Sequence, residues 1–72
     1  MNYDEAVRWL AAIGGTHEIT REGIREIVVV RVSSANRGDV VRRTALDRGI
    51  SQELAGRRAF VLACDELRRA LS

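Results

Sequence analysis

Residues 24–32 read Ile-Arg-Glu-Ile-Val-Val-Val-Arg-Val, and this stretch decides the fold. Six of its nine residues are β-branched aliphatics, the side chains that pack best on a pleated, partly buried strand. No other part of the chain is as typical of a strand. We therefore predict one strong strand here, and the flanking segments are interpreted as the elements that pack around it.

The segment before this strand predicts a helix, a turn and a second, weaker strand. Residues 2–13 are amphipathic, with Asn2 as the N-cap and Glu5 as its capping-box partner. A pair of glycines ends this helix. Residues 16–21 then alternate weakly between polar and apolar. Together with residues 24–32 they predict a β-hairpin.

The register of the hairpin is open between two loops. A three-residue loop, residues 21–23, places Glu18 opposite Glu26, which is unfavourable. A two-residue loop, Glu22-Gly23, avoids this clash, and we favour it. In that register, Ile19, Ile24, Val28, Val30 and Val32 share one face, and Thr16, Thr20, Arg25, Ile27, Val29 and Arg31 share the other.

The chain after the strand predicts two helices. Residues 40–48 form the first, and residues 52–71, capped by Ser51, form the second. The second helix has an apolar stripe of Gly56, Ala59, Phe60, Ala63, Cys64, Leu67, Ala70 and Leu71. The predicted order is α-β-β-α-α. Residues 1–72 thus predict a single small two-layer α+β domain in which an antiparallel β-hairpin packs against helices.

The residue types that catalysis and metal binding need are scarce. The chain has one Cys, Cys64, and one His, His17, too few for a disulfide framework or a set of metal ligands. We interpret Cys64 as a core residue and His17 as a surface or partly packed one. No apolar run approaches the ~18 residues that span a bilayer, and no signal peptide is recognisable. We expect a non-enzymatic, cytoplasmic protein without cofactor, metal or membrane contact.

Arginine usage raises the question of nucleic-acid binding. All twelve basic residues are arginine, against ten acidic residues. Arginine suits bidentate contacts to phosphate, although genome composition can produce the same usage. Residues 45–51 read Ala-Leu-Asp-Arg-Gly-Ile-Ser and resemble the turn of a DNA-binding helix-turn-helix, in degenerate form, across residues 41–60. This resemblance implies nucleic-acid contacts from Arg42, Arg43, Gln52, Arg57 and Arg58.

Protein–protein contact is the function that the sequence favours. The strong strand has apolar residues on both faces, and a two-stranded hairpin leaves unpaired edges. Aromatic residues and arginine are enriched in binding hot spots, so the candidate surface is Trp9, Ile27, Val29 and Arg31. We predict an oligomeric binding module (an adaptor, an inhibitor or a component of a phage or other complex) whose partner is another protein or a second copy of itself. DNA binding through residues 41–60 is the alternative.

Overall fold

The computed structural model describes all 72 residues. Its elements are α1 (Tyr3–Ala12), β1 (Thr16–Glu22), β2 (Arg25–Ser34), β3 (Gly38–Ala45) and α2 (Gln52–Leu71). The strands form one antiparallel sheet in the order β1-β2-β3. Both helices contribute to a core on one face of that sheet. The predicted two-layer α+β architecture is therefore confirmed.

The predicted helix over residues 40–48 is wrong, and the element order is α-β-β-β-α. Residues 38–45 form β3, which pairs with β2 from Ser34 opposite Gly38 to Ile27 opposite Ala45. Two valines and a threonine give this segment the composition of a strand. Pairing also satisfies the backbone groups along an edge of β2 that a hairpin alone would leave open.

Gly38 explains why the chain turns back here. The loop between β2 and β3 has three residues, and Gly38 follows it with a φ of +69°. A three-residue hairpin loop needs a residue in the left-handed region at its end, and glycine adopts that conformation without steric cost. Gly38 is therefore the residue that closes a second hairpin, between β2 and β3.

The first hairpin exists, but neither predicted register is right. Glu22 pairs with Arg25, so the loop is Gly23-Ile24. Gly23 has a φ of +65°, and a two-residue type II′ turn needs glycine at this first central position. The favoured register is wrong by two residues, an even shift that keeps each strand side chain on its face. Only Ile24 leaves its predicted face, and it lies in the turn.

Both predicted helix caps are confirmed. Asn2 Oδ1 accepts a hydrogen bond from the Glu5 N–H at 2.9 Å, and the Asn2 N–H donates to Glu5 Oε1 at 3.0 Å. At the start of α2, Ser51 Oγ accepts from the Leu54 N–H at 3.3 Å. Each cap satisfies backbone donors that the first helical turn leaves without partners.

The core lies between the sheet and the two helices. Its buried residues are Ala6, Leu10, Val28, Val30, Val32, Ala59, Phe60, Ala63, Cys64 and Leu67. Three of these are consecutive inward-facing residues of β2, and five lie on the predicted stripe of α2. The residues of β2 that face the other way, including Val29, do not belong to this cluster. The second face of the sheet has no helix over it.

Candidate interaction surface

The four residues predicted to form a protein-binding surface lie on two sides of the sheet. Trp9 is half-buried and packs against the core on the helical side. Ile27, Val29 and Arg31 alternate along β2 with the core residues, so they lie on the open face. The structure therefore brings three of the four residues together and separates Trp9 from them.

Long polar side chains shield the apolar part of the open face. Arg43 of β3 forms an ion pair with Glu22 of β1. Arg43 is opposite Val29, and Glu22 is opposite Arg25, so this pair crosses β2 at the level of Ile27. Ile27 is half-buried, and Val29 is only 7% exposed. The open face therefore presents little apolar surface to solvent.

The exposed apolar side chains are concentrated elsewhere, along α2 from its start to its middle and beside it. Seven large apolar residues are exposed in the whole chain, and six of them line three neighbouring grooves in this region. Only Val7 lies outside the grooves. We call the six residues the apolar collar: Tyr3, Ile19, Ile24, Ile50, Leu54 and Leu62.

The three grooves adjoin one another. The first, of about 410 Å³, lies between the β1–β2 turn and the β3–α2 loop and contains Ile24 and Ile50. The second, of about 540 Å³, lies between β1 and α2 and contains Ile19. The third, of about 510 Å³, lies between the start of α1 and the outer side of α2. Residues shared between grooves join them into one surface: Tyr3, Asp47, Gln52 and Arg57.

Polar contacts hold the start of α2 against the sheet. Gln52 Nε2 lies 2.8 Å from each carboxylate oxygen of Glu26 and donates to them. Arg21 Nη2 donates to Glu26 Oε1 at 3.3 Å. Glu26 therefore connects β1, β2 and α2. The amide of Gln52, predicted to contact bases, already has a partner within the chain.

Arg57 is also engaged by its neighbours. Its guanidinium donates to Glu53 Oε1 at 3.1 Å, one helical turn away. The same group lies 4.9 Å above the ring centroid of Tyr3, which is within the range of a cation–π contact. The Glu53–Arg57 pair fixes a basic side chain at the border between the second and third grooves.

The helix-turn-helix interpretation of residues 41–60 is wrong. Residues 41–45 lie in β3, so the first helix of that motif does not exist. Successive residues of a strand point to opposite faces, which separates Arg42 from Arg43. Arg42 is half-buried and donates to the Val41 carbonyl at 2.7 Å. Of the five residues predicted to contact nucleic acid, only Arg58 is exposed without a hydrogen bond or ion pair.

Of the two potentially reactive side chains, Cys64 is buried in the core, whereas His17 is exposed and contacts Phe60. Cys64 is fully buried, and burial, with a smaller contribution from the Asp65 charge, raises its pKa to about 11. At neutral pH it is therefore a thiol, not the nucleophilic thiolate. The His17 ring packs edge-on against Phe60 with a centroid distance of 4.9 Å. No group of three or more His, Cys, Asp or Glu side chains is arranged to hold a metal ion.

Neither helix combines the length and the apolar character that crossing a bilayer requires.

Comparison of the chain with protein-family models, with curated proteins and with solved structures found no match. The class that the fold defines is a small α+β domain with a three-stranded antiparallel sheet covered on one face. Its apolar collar is the most distinctive feature of its surface.

Sequence reasoning missed the collar, although the signals were present. Leu62 stands off the apolar stripe of α2, and Leu54 is on the exposed side of its first turn. Ile24 and Ile50 each follow a glycine that has a positive φ in a tight turn. An aliphatic residue in such a turn has little chance of burial, because loops lie on the surface. Large apolar residues beside turn glycines are therefore candidates for binding.

Proposed function

We propose that this chain is a small non-enzymatic protein-binding module and that it binds its partner through the apolar collar. One observation carries the proposal: six of the seven exposed large apolar side chains line three adjoining grooves along the first half of α2 and its neighbours, as far as Leu62. Soluble monomers scatter such residues singly, whereas contiguous apolar surface rimmed by polar groups marks interaction sites.

The composition of the collar fits an interface. Interface centres are depleted in charge and enriched in aromatic and large apolar residues, with polar groups at the rim. Here aliphatic residues and Tyr3 supply the centre, while Arg48, Arg57 and Arg58 line the groove edges. The partner surface is therefore apolar at its centre. Trp9 and the open-face residues predicted from sequence have smaller roles in this proposal.

The partner is another protein or a second copy of the chain, and sedimentation of the purified protein separates these two cases. A rise in mean mass from about 10 μM to about 1 mM protein would indicate self-association, because oligomerisation follows mass action. NMR spectra recorded across the same range would map the contact. Shifts at Leu54 and Ile24 support the collar, and shifts confined to Ile27 and Val29 would place the interface on the open face.

Selection from a displayed random-peptide library tests binding to another protein. We expect the wild-type chain to enrich related peptides. Leu54→Asp and Ile24→Asp should each weaken binding of the enriched peptides at least about tenfold, the equivalent of about 1.4 kcal/mol. Val7→Asp is the matched control, because Val7 is 40% exposed but lies outside the collar. Absence of enrichment, or equal loss in all three variants, would count against the proposal.

A second candidate function, binding to nucleic-acid phosphates, rests on the number of unpaired arginines. Only Arg21, Arg43 and Arg57 form ion pairs, so nine of the twelve have no carboxylate within 4.0 Å. Fluorescence anisotropy with duplex DNA and RNA tests this function. Phosphate contacts require affinity to fall steeply between about 50 and 200 mM salt. No binding at the lower salt concentration would exclude it.

A further inference from the structure

Strand β1 has one unpaired edge, because β2 is its only neighbour in the sheet. The Leu46 N–H donates to the Glu26 carbonyl at 3.0 Å, so the even-numbered residues of β2 are those that bond to β3. In an antiparallel sheet, successive residues of a strand direct their backbone N–H and C=O groups alternately to one neighbour and to the other. The odd-numbered residues of β2 therefore bond to β1. By register, His17, Ile19 and Arg21 direct their N–H and C=O groups to the free edge.

The opposite edge of the sheet is partly occupied. The same alternation makes Val41 one of the outward-facing residues of β3, and the Arg42 guanidinium donates to its carbonyl at 2.7 Å. Charged side chains of this kind keep other strands from adding to an edge. No side chain bonds to the outward-facing backbone groups of β1. Strand β1 is therefore the edge that is open to pairing.

An apolar groove adjoins this open edge. Helix α2 packs on β2 and β3, which leaves Ile19 57% exposed on the helical side of β1. Ile19, Val28 and Phe60 line the groove of about 540 Å³ there. Gly56 widens it, since a Cβ at that position would meet nothing within 4 Å. A strand added along β1 would direct every second side chain towards this groove, because side chains alternate between the faces of a sheet.

We propose that β1 binds an extended segment of a partner protein as a fourth strand, and that this segment alternates apolar with basic residues. The inference rests on the proposed protein-binding function and names the partner of the groove between β1 and α2. Apolar side chains of the segment would occupy the groove. Backbone hydrogen bonds supply affinity in this mode of recognition, and the groove supplies specificity.

The charge on the other side of β1 specifies the basic residues. The open-face residues of β1 are Thr16, Glu18, Thr20 and Glu22. Glu22 has Arg43 as a partner, whereas Glu18 forms no ion pair. Opposite charges directly across two strands stabilise the pairing, and like charges destabilise it. A lysine or arginine opposite Glu18 is therefore favoured.

The same charges disfavour a second copy of β1 as the added strand. In an antiparallel two-fold pairing, a register centred on Glu18 sets that residue against its own copy. A register centred on Thr20 sets Glu18 against Glu22 of the copy. Centring on His17, Ile19 or Arg21 avoids opposed carboxylates, but none of these registers places a basic residue opposite Glu18. A basic segment from another protein is complementary in charge to Glu18, whereas a second copy of β1 is not.

Hydrogen exchange of the full chain with a synthetic peptide tests the proposal. The probe is a nine-residue peptide that alternates leucine or valine with lysine, and the control is the same composition scrambled to break the alternation. We expect the probe at saturation to slow exchange of the His17, Ile19 and Arg21 amides at least about tenfold. The even-numbered amides of β1 already bond to β2 and should change less. The scrambled peptide should leave all of them unchanged.

Two variants separate the groove from the charge. Ile19→Asp should weaken probe binding at least about tenfold, a difference of about 1.4 kcal/mol. Glu18→Gln should abolish the preference for the lysine probe over a neutral threonine version while leaving binding of the neutral version unchanged. Val7→Asp is the matched control for Ile19→Asp, because Val7 is an exposed aliphatic that lies outside the collar; in this assay it should bind the probe as the wild type does.

Two results would overturn the inference. One is a saturating probe that leaves the odd-numbered amides of β1 unprotected, or protects them no better than the scrambled peptide does. The other is protection of those amides by protein concentration alone, which would identify a second copy as the occupant. In either case, library peptides that bind through Leu54 would still support the collar, so the proposed function and this inference fail separately.

Discussion

Arg43 and Glu22 are joined by an ion pair that crosses the central strand of the sheet. Arg43 belongs to β3 and Glu22 to β1, and both side chains lie on the open face. Their contact connects the two edge strands, which share no backbone hydrogen bonds. It also lies over Ile27, which explains how an aliphatic residue on a face without helices remains half-buried.

A double-mutant cycle on Arg43→Ala and Glu22→Gln should give a coupling free energy of about 0.2–1 kcal/mol. The side chains are 53% and 47% exposed, and solvent screens charge pairs of this kind. Urea denaturation at low and high salt measures the coupling, which should shrink as salt rises. The Arg57–Glu53 pair, with exposures of 54% and 79%, is the matched control and should couple no more strongly. A salt-independent coupling above about 2 kcal/mol would contradict the prediction.

Gly15→Ala should destabilise the protein by about 1–3 kcal/mol, the usual cost of overpacking. A Cβ at this position would collide with Leu10 Cδ1 and approach the Arg31 carbonyl to 3.1 Å. Gly56→Ala makes the same chemical change in the interior of α2, where a Cβ would meet nothing within 4 Å. It should stabilise the protein by up to about 1 kcal/mol through helix propensity. Thermal and urea unfolding measure the change in stability for both substitutions. Equal effects would contradict the close packing described around Gly15.

The accuracy of sequence-based prediction here follows from how local each signal is. The capping box of α1 and the Ser51 cap lie within three or four residues, so both were predicted correctly. The division of the β1 and β2 side chains between two faces was also predicted, because it survives an even register shift. The order of the elements was predicted wrongly, because it depends on whether residues 38–45 pair with β2.

That pairing is a tertiary interaction that overrides a plausible local pattern. Residues 40–48 have the charges of a short helix, and Gly49 follows them as a helix-stop glycine. The valine pair and the glycine after the Ala35–Arg37 loop favour a hairpin instead. The free edge of β2 selects the second option, because an added strand satisfies its backbone groups. The collar was missed for a related reason. Whether an apolar side chain is exposed depends on how much of the sheet α2 covers, which is also a tertiary interaction.

Leu67→Ala should lower the free energy of unfolding by about 2–5 kcal/mol, because the substitution leaves a cavity in the core. Leu67 is fully buried among residues of both helices and β2. Leu62→Ala is the control on the same helix, with a side chain that is 52% exposed. Its cost should remain within about 0.5 kcal/mol, as for most surface substitutions. Similar costs at the two positions would mean that α2 is not oriented as described.

Cys64 should make the protein less stable as the pH rises from about 9 to about 11. Burial raises the pKa of the folded thiol from its ordinary value near 9.0 to about 11. In this window the unfolded thiol loses its proton while the folded thiol keeps it, so ionisation favours the unfolded state. This difference of two pKa units corresponds to a loss of at most about 3 kcal/mol in the free energy of unfolding. Below pH 9 the loss does not occur.

The composition of the chain makes this alkaline loss measurable. There is no lysine, and Tyr3 is the only tyrosine, so few other side chains titrate between pH 9 and pH 11. Cys64→Ala removes the thiol and should flatten the dependence of unfolding free energy on pH in this range. Because the substitution also leaves a small cavity, the slopes of the two curves are compared, not their heights. Parallel curves for the wild type and the variant would show that the buried thiol does not control stability in this range.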